Sequence, residues 1–304
     1  MRLASDLLAN VDNFLFDFDG VICSHRVPIN GSVECINRLK ELGKSCYVVS
    51  NNSTITRKEF AQLLAGIGIK DMNEKSIVCP SWVLAGYLKS IDFRDKCYVI
   101  GTPSIAQELD ENQIKHTGIG SNLNDYPDPA NINYHYLKVD PDVKCVVVAF
   151  DYYFNYPKLV EATTYIHRSK DCLFLATHDD PLYSSANARV VIPGTGTMVS
   201  AVATSAGYRP LVLGKPYASM WNILRMAENL DAQRTCMIGD NLFTDIAFAN
   251  NNSLGYSLAV LTGVTNEKEI AKYHGSPNLD DSKLVPKLYT DSLAKLHELL
   301  NETQ

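Results

Sequence analysis

Short apolar runs alternate along the chain with segments in which apolar residues recur at helical spacing. The runs at 13–16 and 46–49 predict buried strands, because each is short and ends in polar residues. Between them, the apolar positions of 29–42 predict a helix that ends at Gly43. A strand, a helix and a second strand in this order are typical of a parallel sheet with right-handed crossovers.

The same alternation continues through most of the chain. It predicts further strands at 77–79, 97–101, 144–150, 173–177, 210–213, 235–238 and 257–261. It also predicts further helices around 60–67, 81–88, 157–166, 197–206, 217–230 and 291–300, and one that begins near 244–245. The stretch 118–141 is rich in Asn, Asp, Pro and Tyr and predicts irregular connections. The strand at 210–213 is predicted to resume the first unit. We therefore predict an α/β protein in which a second α/β unit, 92–208, is inserted into a first unit formed by 1–91 and 209–304.

Composition and charge exclude several classes of protein. The formal charge of −6 and the pI of about 5.6 lack the basic excess of a nucleic-acid-binding protein. No run approaches the roughly 18 apolar residues that cross a bilayer, and the first residues lack the apolar core of a secretory signal. We therefore expect a cytoplasmic protein with neither a nucleic-acid nor a membrane partner.

Eight cysteines are scattered along the chain without a Cys-x-x-Cys pair. Several lie in apolar runs such as 144–148. This distribution favours reduced thiols packed in the interior over disulfides or a zinc site.

Polar side chains follow four of the predicted strands. Taken alone, the first set, Asp-x-Asp-Gly, could equally be a turn, since Asp and Gly are turn formers. The four sets, in chain order, are Asp17 with Asp19, Ser50 with Asn51, Lys215, and Asp240 with Asp245. Because ligands bind at the carboxyl ends of the strands in open α/β sheets, we expect all four sets to converge on one crevice.

These residue types meet the requirements of phosphoryl transfer. A carboxylate nucleophile can accept the phosphoryl group and divide one difficult displacement into two easier ones. A magnesium ion held by hard oxygen ligands offsets the repulsion between that carboxylate and the phosphate. A lysine and a hydroxyl-plus-amide pair can bind the non-transferred oxygens. A second acid can protonate the leaving alkoxide and later activate water.

The same residues resemble the four motifs of the haloacid dehalogenase-like phosphatases. The likeness is most specific to the branch that holds phosphoglycolate phosphatase, pyridoxal phosphate phosphatase and 4-nitrophenyl phosphatases, and it runs from about residue 11 to 265. The segments that carry it are Asp17-x-Asp19-Gly20-Val21, Ser50-Asn51-Asn52-Ser53, Phe150-Asp151-x-x-Phe154-x-Tyr156-x-Lys158-Leu159, Pro193-Gly194-Thr195-Gly196, Gly214-Lys215-Pro216, Gly239-Asp240 with Asp245, and Thr262-Gly263-Val264.

The resemblance implies a role for each site residue. It makes Asp17 the nucleophile that forms an aspartyl-phosphate and also contacts Mg²⁺. It makes Asp19 the general acid and base, with its backbone carbonyl on the metal. Asp240 becomes the side-chain metal ligand, and Asp245 an acid that supports the metal site through other groups. The phosphate-binding residues that the resemblance implies are Ser50, Asn51, Asn52 and Lys215.

The resemblance also implies a Rossmann-like parallel-sheet core with a large inserted cap at 92–208. In this branch the cap closes over the site and selects substrates, and in several relatives it carries the dimer interface, so we expect a homodimer. The chain departs from the branch pattern at Asn241, where many relatives have arginine. It also departs at His178, where the cap strand often has asparagine. His178 is a candidate substrate contact, and a structural or exposed histidine is the alternative.

Two further segments invite other interpretations. Gly194-Thr195-Gly196 lacks the remaining residues of a nucleotide-binding motif and more simply opens the helix at 197–206. The aromatic cluster at 152–156 is expected in the core of the cap or in an interface, and not as a platform for stacked bases.

We therefore expect a Mg²⁺-dependent phosphomonoesterase that hydrolyses small phosphorylated metabolites of the phosphoglycolate kind, or 4-nitrophenyl phosphate, through an aspartyl-phosphate. A pyridoxal phosphate phosphatase is one alternative, and a phosphotransferase or phosphomutase with the same motifs is another. A response-regulator receiver is far smaller than this chain. A catalytically dead binding protein would be expected to have lost one of the acids or the lysine, and none is missing.

Overall fold

A computed structural model describes residues 2–122, 137, 139–183 and 190–302 of the chain. Its strands are β1 (Asn13–Phe16), β2 (Cys23–Ser24), β3 (Val27–Pro28), β4 (Ser45–Val49), β5 (Ile77–Val78), β6 (Lys96–Ile100), β7 (Lys115–Thr117), β8 (Val143–Val148), β9 (Leu173–Ala176), β10 (Leu182–Tyr183), β11 (Ile192–Pro193), β12 (Leu211–Val212), β13 (Thr235–Gly239), β14 (Tyr256–Val260) and β15 (Leu288–Thr290). Its α-helices are α1 (Arg2–Asn10), α2 (Ser32–Glu41), α3 (Arg57–Gly66), α4 (Pro80–Ser90), α5 (Pro103–Glu111), α6 (Tyr156–Arg168), α7 (Thr195–Ala206), α8 (Ala218–Glu228), α9 (Ala247–Asn251), α10 (Glu267–His274) and α11 (Leu293–Glu302).

The chain divides into two compact units, of which the first comprises Met1–Ser50, Arg57–Cys79 and Lys215–Gln304. Its sheet has the strand order β15-β14-β13-β1-β4-β5, and all neighbouring strands are parallel. β1 lies between β13 and β4, and each of its residues is buried. A strand covered on both faces is apolar along most of its length, which explains the three consecutive apolar residues at 14–16.

The second unit comprises Asn51–Thr56 and Pro80–Gly214. Its parallel sheet has the order β12-β9-β8-β6-β7. Side chains from α6 and α7, such as Tyr165 and Val202, pack with the strand residues Val146 and Phe174 in its core. The predicted α/β class, with parallel sheets in two units, is confirmed.

One predicted strand lies in a different sheet from the one expected. The strand before Lys215 is β12, and it pairs with β9 of the second unit, with Leu211 opposite Leu175. The prediction that it resumes the first unit is therefore wrong. A two-residue strand carries too little local pattern to specify its neighbour, so tertiary contacts decide the pairing.

The long segment of the second unit runs from Pro80 to Gly214, whereas the predicted insert runs from 92 to 208. The assignment of these units to a catalytic core and a cap stays a proposal. Most of the stretch predicted to form irregular connections, 118–141, lies outside the described residues.

The interior confirms the interpretation of the cysteines and corrects that of the aromatic cluster. All eight cysteines are free and buried. Tyr152, Tyr153 and Tyr156 are mostly exposed, so a position in the core is wrong for these tyrosines, while Phe154 packs partly against the core of the second unit. Among the described residues, each helix is too short or too polar to cross a membrane.

The central position of β1 in its sheet predicts that its buried side chains contribute strongly to stability. Replacing the fully buried Phe14 with Ala should lower the free energy of unfolding by about 3–5 kcal/mol, because the lost transfer energy and a cavity add. Urea denaturation followed by circular dichroism measures this change. Met226 of α8 is 73% exposed, and its replacement by Ala should change stability by less than about 0.5 kcal/mol. Equal effects of the two substitutions would contradict the central role of β1.

Candidate active site

Two acids follow β1 where it ends beside β13 and β4. The backbone N–H of Asp17 donates to the carbonyl of Ile238 at 2.9 Å, which continues the ladder with β13. The chain then turns at Gly20, where φ is +82° and where a Cβ atom would collide with the carboxylate of Asp240. Only glycine satisfies both conditions, so the residue after Asp19 allows the acid of another strand to approach closely.

Lys215 is the centre of the site. Its ammonium donates to Asp17 Oδ1 at 2.7 Å, to Asp245 Oδ1 at 2.7 Å and to the carbonyl of Val49 at 2.8 Å. An ammonium has three N–H groups, so these three bonds use all of its donors. The side chain is almost completely buried. Lys215 is therefore a buried residue of the site, although β12, which precedes it, belongs to the other sheet.

The last two acids lie around an irregular turn after β13. Residues Leu242–Ile246 form a π-helical turn, a distortion that often marks functional sites. Asp245 Oδ2 accepts from the backbone N–H of Asn241 at 3.1 Å, and Asp240 Oδ2 accepts from that of Val264 at 2.9 Å. Asn241 Oδ1 accepts from the N–H of Phe243 at 2.9 Å. Asn241, where the chain departs from the branch pattern, therefore caps the turn.

The positive charge of Lys215 is smaller than the combined negative charge that the four acids around it would carry if all were ionised. Burial, reinforced by the charge of Asp17, raises the pKa of Asp19 to about 6. Burial and the charges of Asp245 and Asp17 raise the pKa of Asp240. Burial also raises the pKa of Asp245, against the opposing effect of Lys215. Burial lowers the pKa of Lys215, but Asp17 and Asp245 more than compensate and hold it above its ordinary value.

The donor set fits a divalent cation. Asp17, Asp240 and Asp245 each place a carboxylate oxygen within 4.8 Å of the others. Hard oxygen donors of this kind suit Mg²⁺. Both oxygens of Asp245 accept hydrogen bonds from Lys215 and Asn241, whereas Asp17 and Asp240 each accept through one oxygen from the described residues. Asp17 and Asp240 are therefore better suited to bind an ion directly, and Asp245 to orient Lys215.

The predicted phosphate-binding residues are divided between the two units. Ser50 is buried at the end of β4 in the first unit, and its N–H donates to the carbonyl of Val78 at 3.0 Å. Asn51 and Asn52 belong to the second unit. Asn52 Oδ1 accepts from the N–H and the hydroxyl of Thr54 at 2.8 and 2.7 Å, so it shapes the loop that follows β4.

His178 also lies in the second unit, directly after β9, and is buried. Its Nδ1 is 3.2 Å from Thr177 Oγ1, and its Nε2 is 4.0 Å from Asp180 Oδ2. Asp180 in turn accepts from Nδ2 of Asn51 at 3.0 Å. The sequence interpretation missed Asp180 as a site residue, although its position shortly after a buried strand was an available signal.

Comparison with known proteins assigns the chain to a family. Two family models, both described as haloacid dehalogenase-like hydrolase, match residues 14–115 and 98–252. A related HAD-hydrolase-like model matches residues 212–296. Together these matches span the strands that carry the acids and the lysine.

Individual relatives cover nearly the whole chain. It is 34% identical to the glycerol-3-phosphate phosphatase of Gallus gallus over 98% of its length and 95% of the relative, and 34% identical to the 4-nitrophenylphosphatase of Schizosaccharomyces pombe over 96% and 95%. The solved structure of a glycerol phosphate phosphatase from Mycobacterium tuberculosis in complex with magnesium shares the fold, with a TM-score of 0.74, 24% identity, and coverage of 97% of this chain and 79% of that one. The chain therefore belongs to the haloacid dehalogenase-like hydrolases, in the branch whose named members are phosphatases.

Proposed function

We propose that this chain is a Mg²⁺-dependent phosphomonoesterase that acts on small phosphorylated metabolites through an aspartyl-phosphate on Asp17. The observation that carries the proposal is the bond between the buried Lys215 and Asp17. Among the three clustered acids, the side chain of Asp17 is 15% exposed and that of Asp245 is fully buried. Of these two acids, Asp17 is therefore the one that a substrate can reach, and its Oδ1 accepts a hydrogen bond from Lys215 at 2.7 Å.

In the proposed reaction, Oδ of Asp17 attacks the phosphorus, the bond from phosphorus to the ester oxygen breaks, and an alcohol leaves. Asp19 donates a proton to the departing alkoxide and then accepts a proton from the water that hydrolyses the aspartyl-phosphate. The pKa of Asp19, raised to about 6 by burial and by the charge of Asp17, suits both a donor and an acceptor near neutral pH. Ser50, Asn51, Asn52 and Lys215 bind the non-transferred oxygens.

Asp17, Asp240 and the backbone carbonyl of Asp19 are the proposed Mg²⁺ ligands. The ion would supply the positive charge that the clustered acids lack and would reduce the repulsion between Asp17 and a phosphate dianion. Solved complexes of the Mycobacterium tuberculosis relative contain magnesium in one case and calcium in another, which supports a divalent cation at the proposed site.

The proposed substrates are small esters, since the relatives are named for glycerol-3-phosphate and 4-nitrophenyl phosphate and the sequence resemblance adds phosphoglycolate and pyridoxal phosphate. We assign substrate selection to the second unit as a cap, with His178 as a contact. A cytoplasmic location belongs to the same proposal. A phosphotransferase remains the second candidate, and measuring free phosphate against transferred phosphate separates the two.

Removal of the nucleophile tests the mechanism. Asp17→Asn should abolish hydrolysis, because a neutral amide cannot form the acyl phosphate, while the circular dichroism spectrum stays unchanged. The assay is phosphate release from a panel of metabolite esters and 4-nitrophenyl phosphate, with and without Mg²⁺. Asp171→Asn, at an exposed acid of the second unit, makes the same charge change and should keep wild-type activity. Substantial turnover by Asp17→Asn would contradict the aspartyl-phosphate.

The metal site can be tested without activity. Mg²⁺ at about 100 times its dissociation constant should stabilise the wild type by about 2.7 kcal/mol. This corresponds to a rise in melting temperature of several degrees at about 2–4 °C per kcal/mol. Asp240→Asn should lose most of this rise, whereas Asp171→Asn should keep it. A rise of the same size in Asp240→Asn and the wild type would count against Asp240 as a ligand.

The same variant has an expected effect in metal-free buffer. The pKa of Asp240 is raised in the folded chain above its unfolded value of about 3.9, so folding takes up a proton and stability falls as the pH rises above that value. Asparagine cannot ionise, so metal-free Asp240→Asn should melt at a higher temperature than the wild type at pH 7, and the difference should shrink towards pH 4. A lower melting temperature at pH 7 would show that burial of the ionised acid is not destabilising.

The proposed homodimer through the second unit rests on analogy with relatives. Multi-angle light scattering at micromolar concentration should give about twice the chain mass of 33.7 kDa. Replacing the exposed Tyr152 with Glu should lower that mass if this surface is in the interface. A wild-type mass near one chain would contradict the dimer.

A further inference from the structure

Two loops of the second unit hold the segment Asn51–Thr56, which follows the end of β4. The hydroxyls of Thr102 and Ser104, at the start of α5, both donate to the carbonyl of Ser53, at 2.9 and 2.6 Å. Both hydroxyl-bearing residues are buried. From the loop after β9, Asp180 accepts from Nδ2 of Asn51 at 3.0 Å. The segment is thus anchored through one backbone carbonyl and one side-chain amide.

Asp180 determines the orientation of the Asn51 amide. A carboxylate accepts hydrogen bonds and cannot donate them, so the Nδ2 side of the amide must face Asp180. The Oδ1 side lies against Gly214, where an added Cβ atom would stand 2.6 Å from Oδ1 and 2.6 Å from the carbonyl of Thr177. The absence of a side chain at position 214 is therefore needed for this close approach, while Asp180 accepts a hydrogen bond from the other side of the amide.

Asp180 is itself held by a regular element. Its carbonyl accepts from the N–H of Gly196 at 2.9 Å, in the first turn of α7. Its carboxylate is 28% exposed, with His178 Nε2 at 4.0 Å. The backbone of Asp180 is therefore held by the first turn of α7, and its side chain binds Asn51, which lies 129 residues away in the sequence.

We propose that Asp180 is a positioning residue that orients the Asn51 amide for binding the phosphate group of the substrate. This inference rests on the proposed function, in which Asn51 binds phosphate. Asp180 acts through Asn51 and not on the substrate, because a carboxylate repels a phosphate dianion. Its removal should weaken the binding of phosphate in the ground state and in the transition state alike, which raises KM and leaves kcat nearly unchanged.

Steady-state kinetics with 4-nitrophenyl phosphate, and inhibition by inorganic phosphate, test the proposal. Asp180→Ala should raise KM and the inhibition constant of phosphate about tenfold, the effect of misplacing one hydrogen bond to a charged group. The value of kcat should stay within about threefold of wild type. Asp180→Asn should restore most of the loss, because its Oδ1 can accept the same bond. Asp171→Asn serves as the control for the change of charge.

A double-mutant cycle separates positioning from a general structural role. If Asp180 acts through Asn51, the Asn51→Ala/Asp180→Ala protein should bind phosphate no more weakly than Asn51→Ala alone. Additive losses in the double variant would overturn the proposal. If Asp180→Ala fails to fold, Asp180→Ser, which also removes the carboxylate and is too short to replace it, takes its place in the cycle.

Hydrogen–deuterium exchange gives a readout independent of turnover. Peptides that cover 51–56 should exchange faster in Asp180→Ala than in the wild type or in Asp171→Asn. If the wild type hydrolyses no ester on the panel, the proposed function fails, while exchange still reports whether Asp180 anchors the segment. If the wild type is active and Asp180→Ala keeps its KM and its exchange rates, the positioning role alone is overturned.

Discussion

The buried ammonium of Lys215 is the interaction on which the site depends. Removing a lysine from water is costly unless its charge and all of its donors are satisfied. Here Asp17, Asp245 and the carbonyl of Val49 provide that compensation at 2.7, 2.7 and 2.8 Å. The requirement is mutual, because Asp245 is fully buried and would be an uncompensated charge without the lysine. These contacts therefore fix the distance between strands β1, β4 and β13 at their carboxyl ends as well as the position of Asp17.

The excess of buried acids around Lys215 is unfavourable for the stability of the fold. Lys215 neutralises only part of the charge of the acids around it, and burial and mutual repulsion consequently raise the pKa of Asp19, Asp240 and Asp245. A site optimised for stability alone would replace one of these acids with a neutral residue. The retained excess of carboxyl groups is understandable if a divalent cation and a phosphate group complete the charge balance during turnover.

The local sequence pattern predicted most of the strands and helices that depend on residues close together in the sequence. The apolar residues of β1 and the acids Asp17 and Asp19 that follow can be recognised from a stretch of nine residues. A strand buried on both faces is mainly apolar, so it ends before the charged residues begin. α1 and α10 were missed, since their amphipathic patterns are short and polar on one face. β12 was recognised as a strand and placed in the wrong sheet, because two residues do not specify a partner. The pairing of Asn51 with Asp180 joins positions 129 residues apart, and no periodicity in the sequence relates them.

The boundaries between the two units add a structural constraint that the sequence motifs do not reveal. The chain passes between the two units at 50/51, 56/57, 79/80 and 214/215. The first and the last of these boundaries fall inside segments proposed to bind phosphate. Each of these segments therefore has one residue whose surroundings belong to one unit and a neighbour whose surroundings belong to the other. Within the second unit, Asp180 contacts Asn51 and Thr102 contacts Ser53. A single peptide bond joins Asn51 to Ser50 of the first unit. If the second unit selects the substrate and Ser50 and Asn51 bind its phosphate group, as proposed, the covalent chain itself couples the two roles.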